Sequence, residues 1–87
     1  MDTHPLVDRF DHEGWQVCVY VMWDGLERRF TGRAELFLDH ALRCRINLPW
    51  GIDSQDEATA SLQRRSREFI ADWRQREHNA DSEFSEL

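Results

Sequence analysis

The chain has no lysine, and its 87 residues include only two Cys, two Pro and four Gly. All side-chain basic charge other than histidine therefore comes from eleven Arg. These are scattered along the chain, solvated positions included. That pattern suits the codon usage of a GC-rich bacterial genome better than selection of planar guanidinium forks for bidentate contacts. No apolar run approaches the roughly 18 residues that a membrane span requires, so no membrane role is expected. The start, Met1-Asp2-Thr3-His4-Pro5, lacks the basic-then-apolar order of a secretory signal, which predicts a cytoplasmic protein. Cys18 and Cys44 could form at most one disulfide, and in that compartment they read as reduced, partly buried thiols. There are no internal repeats.

The chain is also short. It lies below the usual domain size of about 100–150 residues, and folding removes only about 60–65% of the unfolded surface from water. Proteins with so thin a core commonly add disulfides, a metal or a second copy of themselves. With the first two poorly supported here, self-association becomes the leading expectation.

Against these absences stand 40% hydrophobic residues and four Trp, more than a disordered chain carries. The net charge of -6 is unevenly placed. Residues 1–14 set four acids against Arg9, and residues 78–87 hold three acids and no Arg. The stretch 15–77 balances ten acids with ten Arg. The acidity thus belongs to the ends, and it opposes non-specific nucleic-acid binding, which rests on a basic footprint.

Trp15, Val17, Val19, Val21 and Trp23 alternate with Gln16, Cys18, Tyr20 and Met22, the period-2 signature of a strand. Asp24-Gly25 then reads as a two-residue hairpin turn. Such a turn pairs Trp23 with Leu26, Val21 with Arg28, Val19 with Phe30 and Val17 with Gly32. Leu26 and Phe30 fall on the Trp/Val side, while Glu27, Arg29, Thr31 and Arg33 fall on the other. Arg28 is a misfit on the apolar side.

Residues 33–47 have two readings. Ala34, Phe37, Leu38, Ala41 and Leu42 match an amphipathic helix over about 34–43, the favoured reading. The competing reading is a strand meander, and Cys44, Ile46 and Leu48 alternate as a short third strand would. Pro49 then enforces a turn, Leu48-Pro49-Trp50-Gly51. Ser54-Gln55-Asp56-Glu57 is a capping box. It opens a long helix over about 55–78, roughly 36 Å long, with Ala58, Leu62, Ser66, Phe69, Ile70 and Trp73 within an arc of about 120°.

The expected fold is α+β: an antiparallel hairpin, with a third short strand near 43–48, packed against a short helix and a long C-terminal helix. An irregular arm (1–14) precedes a single domain (15–78), and an acidic tail (79–87) follows. The expected core is Val17, Val19, Val21, Phe30, Phe37, Leu38, Leu42, Leu62, Phe69, Ile70 and Trp73.

Chemistry-bearing patterns are sparse. His40 and Cys44 stand four apart, but a structural zinc site needs four ligands and the rest of the chain does not supply them. Cys18 and His40 are the only conceivable nucleophile and base, and the hairpin geometry points Cys18 away from the core. No phosphate-binding glycine loop, Gly-x-Ser-x-Gly elbow or His-Glu-x-x-His is present. No catalytic residue, metal or cofactor is therefore expected, and a non-enzymatic protein is. The hairpin's outer face carries Cys18, Tyr20 and Met22 among Arg29 and Arg33, and Leu36 lies outside the helical arc. Trp50 reads equally as a core lid or as an anchor. These seven residues form the candidate interaction surface, predicted to serve homodimerisation or a protein partner. The alternative is a weak RNA- or single-stranded nucleic-acid-binding module that uses the same Arg and aromatic residues, extended by Arg64, Arg67 and Arg74 on the long helix.

Overall fold

The computed structural model describes residues 5–84, with side chains described as far as Arg76. Among the described residues, four antiparallel strands form one sheet in the order β1-β2-β3-β4, and one helix lies across one face. The strands are β1 (Leu6–His12), β2 (Trp15–Asp24), β3 (Arg29–Leu38) and β4 (Ala41–Asn47), and the helix is α1 (Gln55–Phe84). The fold is α+β as the pattern implied, but with four strands and without the short helix.

β2 sits where its alternation placed it. Its register with β3, however, differs from the one a two-residue Asp24-Gly25 turn imposes. Trp15, Val17, Val19, Val21 and Trp23 oppose Leu38, Leu36, Ala34, Gly32 and Phe30, and Asp24 pairs with Arg29. The connection is a four-residue loop, 25–28, and neither Asp24 nor Gly25 has the positive φ of a primed turn. The Asp24 carboxylate instead accepts the Leu26 and Glu27 amides, at 3.0 and 3.3 Å, and Arg28 takes the left-handed conformation at φ 56°. The pairing slides by four residues relative to the expected one. Because four is even, Phe30 and Gly32 stay on the Trp/Val side. The slide removes the Arg28 misfit and leaves Leu26 fully exposed at the loop tip.

The tight turns lie elsewhere. Glu13 and Gly14 join β1 to β2 with φ of 50° and 89°, and Asp39 and His40 join β3 to β4 with φ of 53° and 65°. Both are two-residue connections with the paired positive φ that matches sheet twist. The expected irregular arm is thus partly a strand: β1 pairs with β2 from His12↔Trp15 to Leu6↔Tyr20, with a bulge near Val7. The helix expected over 34–43 is replaced by the second half of β3, the turn and β4. Ala34, Leu36 and Leu38 carry a period-2 pattern inside the i, i+4 one, and pairing with β2 and β4 decides between them.

Helix α1 begins at its expected cap: the Glu57 amide donates to Ser54 Oγ at 3.4 Å and the Ala58 amide to the Ser54 carbonyl at 2.9 Å. It continues through residues 79–84, part of the expected acidic tail, while residues 85–87 lie outside the described residues. Ala58, Leu62, Ser66 and Ile70 are fully buried against the sheet. The Ser66 hydroxyl is satisfied by the Leu62 carbonyl at 2.7 Å. Gly32 lets the helix approach, because a Cβ there would meet the Tyr20 carbonyl and Leu62 Cδ1.

The core is the covered side of the sheet: Trp15, Val17, Val19, Val21, Ala34, Leu36, Leu48, Ala58, Leu62 and Ile70. Phe30, Leu38 and Phe69 pack partly buried against it. Phe69 and Trp73 meet the Trp15 ring edge-on, at centroid distances of 6.0 and 5.8 Å. Three expectations fail here. Leu36, assigned to the outer surface on helical geometry, is fully buried. Phe37 and Leu42, assigned to the core, pair with one another on the uncovered face, because strand alternation opposes Phe37 to Leu36. Trp73 is more exposed than a core residue, resting at the rim.

Candidate functional site

The face of the sheet away from α1 is covered by no other element among the described residues. Pairing registers order its side chains in rows across the strands. Leu6, Tyr20, Arg33 and Asn47 make one row, and Arg9, Cys18, Glu35 and Arg45 make the next. A third row holds Asp11, Gln16, Phe37 and Leu42. Met22 opposite Thr31, and Asp24 opposite Arg29, extend the face towards the β2–β3 loop.

The centre of this face is an ordered polar network. Glu35 Oε2 lies 3.2 Å from both Arg33 Nε and Arg45 Nε, so one carboxylate bridges two guanidinium groups. The Arg33 and Glu35 side chains are only 17% and 13% exposed, which screens them from water more than a surface pair. The Arg33 guanidinium also lies 4.6 Å over the Tyr20 ring. Around this network Tyr20, Met22 and Phe37 are half-buried, Leu6 and Leu42 are exposed, and Cys18 is shielded to 6% exposure.

Of the seven residues expected to form an interaction surface, Cys18, Tyr20, Met22 and Arg33 share this face. Leu36 does not, for the reason given above. Arg29 stands at the end of the face, where Nη1 donates to the Gly51 carbonyl at 3.4 Å and Nε lies 3.6 Å from Asp53. Trp50 is 69% exposed, which decides against the core lid. Sequence reasoning missed Phe37, Leu42, Glu35 and Arg45. Once 33–47 is read as a meander, odd-numbered alternation in β3 places Phe37 and Glu35 beside Arg33.

The other candidate chemistries are dispersed. His40 occupies a turn and Cys44 the helix-side face of β4, so their four-residue spacing no longer shares a helix face. Burial pushes the Cys44 thiol above its ordinary range, against a smaller downward pull from the Arg45 amide, which keeps it protonated at neutral pH. Cys18 pairs with Glu35 in mid-sheet, away from the turn that carries His40. No group of three or more metal-ligating side chains gathers among the described residues. No helix among them is long and apolar enough to cross a membrane. Two of the three arginines expected to make a basic sector on the helix are turned to β1 and its turn. Arg67 lies 4.8 Å over the Phe10 ring, and Arg74 donates to Glu13 Oε1 at 2.7 Å.

Comparison with protein-family models, with curated proteins and with solved structures gave no match.

Proposed function

We propose that the protein is a non-enzymatic interaction protein that works as a homodimer, two copies packing their uncovered sheet faces together. The observation that carries this reading is a four-stranded sheet with one face that no other element covers among the described residues. That face bears Tyr20, Met22, Phe37 and Leu42 around a pre-paired Arg33–Glu35–Arg45 network. Two sheets that pack face to face interdigitate their inner side chains in a layer about 10 Å thick.

Its size fits. Two strands of ten residues and two of seven, at about 3.3 Å per residue and 4.8 Å apart, offer roughly 540 Å² per copy, about 1,100 Å² in a pair, just above the roughly 1,000 Å² that a specific interface should clear. The sheet edges suit pairing less well. β1 is bulged near Val7, and β4 presents Arg43 and Arg45, both devices that discourage strand addition. Cys18 and Cys44 are free thiols, in keeping with a reducing cytoplasmic setting.

The nucleic-acid alternative draws on the same residues, but the Arg33 guanidinium already covers a face of the Tyr20 ring where a base would stack. Light scattering and sedimentation from 1 to 200 µM (about two decades) test the dimer. Dimers are expected, weakened at least tenfold by Tyr20→Ser or Met22→Ser, since one tenfold step is about 1.4 kcal/mol. A monomer at every concentration overturns the proposal, and oligonucleotide binding by that monomer at low salt would favour the alternative.

A further inference from the structure

Trp50 is exposed, yet its backbone is pinned on both sides. Before it, the Leu48 amide donates to the Gly32 carbonyl at 3.1 Å, and Leu48 itself is buried. After it, Ile52 and Phe30 exchange both backbone hydrogen bonds, at 2.7 and 2.9 Å. Arg29 holds the Gly51 carbonyl and Asp53 from the side. An indole presented by so fixed a loop gives up little conformational freedom when a partner buries it, which is how tryptophan becomes an interface hot spot.

At the opposite end of the sheet lies an open recess of about 490 Å³, lined by Asp11, Trp15, Gln16, Phe37, Asp39 and His40. Phe37 offers an aromatic wall, while Asp11 and Asp39 offer carboxylate acceptors for an indole N–H. The two features are related by the fold. The Phe30↔Ile52 bridge shows that the segment after β4 continues beside β3, so Trp50 stands at the head of the β4 column. The Asp39-His40 turn stands at its foot.

A two-fold axis lying in the interface across the strands packs two uncovered faces with their ends exchanged, so that head meets foot twice. An axis along the strands would set Trp50 over the Leu6 end of β1 instead. We propose that the dimer uses the first arrangement, with Trp50 of each copy seated against the β3–β4 side of the other's recess, its ring against Phe37 and its N–H towards Asp39. This rests on the dimer reading above and adds the axis and the anchor to it.

A double-mutant cycle on the dimer dissociation constant tests the seat. Within one chain Trp50 and Phe37 lie at opposite ends of the sheet, so energetic coupling between them in dimerisation requires contact across the interface. Trp50→Ala and Phe37→Ala should each weaken the dimer roughly thirty-fold or more, as hot-spot losses do, and the double variant should fall well short of the product. Far-UV circular dichroism checks that each variant folds, and His40→Ala replaces Phe37→Ala in the cycle if the latter does not. A wild-type dimer that Trp50→Ala leaves intact, or strictly multiplicative losses, overturns the anchor and leaves the dimer standing. A wild-type monomer overturns both.

Discussion

The two faces of the sheet are built from the same strands, alternate residue by alternate residue, yet solve different problems. The covered face is aliphatic and aromatic along β2 and β3, and Val17, Val19, Ala34 and Leu36 on it have no exposed surface, nor do Leu62 and Ile70 of α1 packed against it. The uncovered face mixes rings, a thiol and methionine with two guanidinium groups that share the one carboxylate of Glu35 and so keep a net positive charge. Half-buried rings and the screened Arg33–Glu35 pair set it apart from a wholly solvated face, although Arg45 reaches water. A face destined for a core would not carry the charges. The proposed dimer would have to enclose this mixture, with rings around a central charged network rather than the apolar centre and polar rim of an ordinary interface.

The sharpest way to break this contrast is to truncate one residue from each side. Leu36→Ala on the covered face should lower stability by about 2–5 kcal/mol, read as a fall in the urea midpoint at unchanged slope. A loss under 1 kcal/mol would mean that the covered face is not the core. Between the two faces in effect lies Glu35→Gln. It leaves Arg33 and Arg45 sharing a neutral amide in a partly buried site, at a cost of about 1–2 kcal/mol that persists when salt is raised. A salt-sensitive loss would show the network to be an ordinary surface pair. Smallest of all, Tyr20→Ser and Met22→Ser should move monomer stability by no more than about 0.5–1 kcal/mol when measured well below the dissociation constant. A large monomer loss there would make the uncovered face part of the fold and remove the reason to expect a second copy.

How far the sequence foretold this molecule depended on whether a local pattern had one explanation. β2 was legible because five apolar residues alternate with nothing to compete, and the start of α1 because Ser54 and Glu57 stand in cap spacing. β3 and β4 were not, since Ala34, Phe37, Leu38, Ala41 and Leu42 satisfy a helix as readily as a meander. The deciding energy is long-range pairing with β2. Asp24-Gly25 had the composition of a primed turn, but the loop at 25–28 lets Leu36 and Leu38 face Val17 and Trp15. That burial outweighs the turn's local preference.

β1 was hidden for a different reason. Beside Phe10 on its helix-facing side stands Asp8, a carboxylate kept there by a 2.6 Å hydrogen bond from Gln63 Nε2, a partner 55 residues away. Of the interaction surface, the residues on β2 and Arg33 were readable from alternation alone. Trp50 carries no such local signal, because its position depends on the long-range bridge between Ile52 and Phe30.

The turn between β3 and β4 has one more consequence. Asp39 and His40 hold left-handed backbone angles that Asn and Gly adopt more readily, at a cost of about 1 kcal/mol or more. Asp39→Asn with His40→Gly is thus an obvious route to a sturdier chain, and it would also strip a carboxylate and an imidazole from the rim of the recess. The turn marks where this protein would face a trade-off between endurance and recognition: the sequence best for holding the hairpin is not the one that gives a visiting indole something to hold.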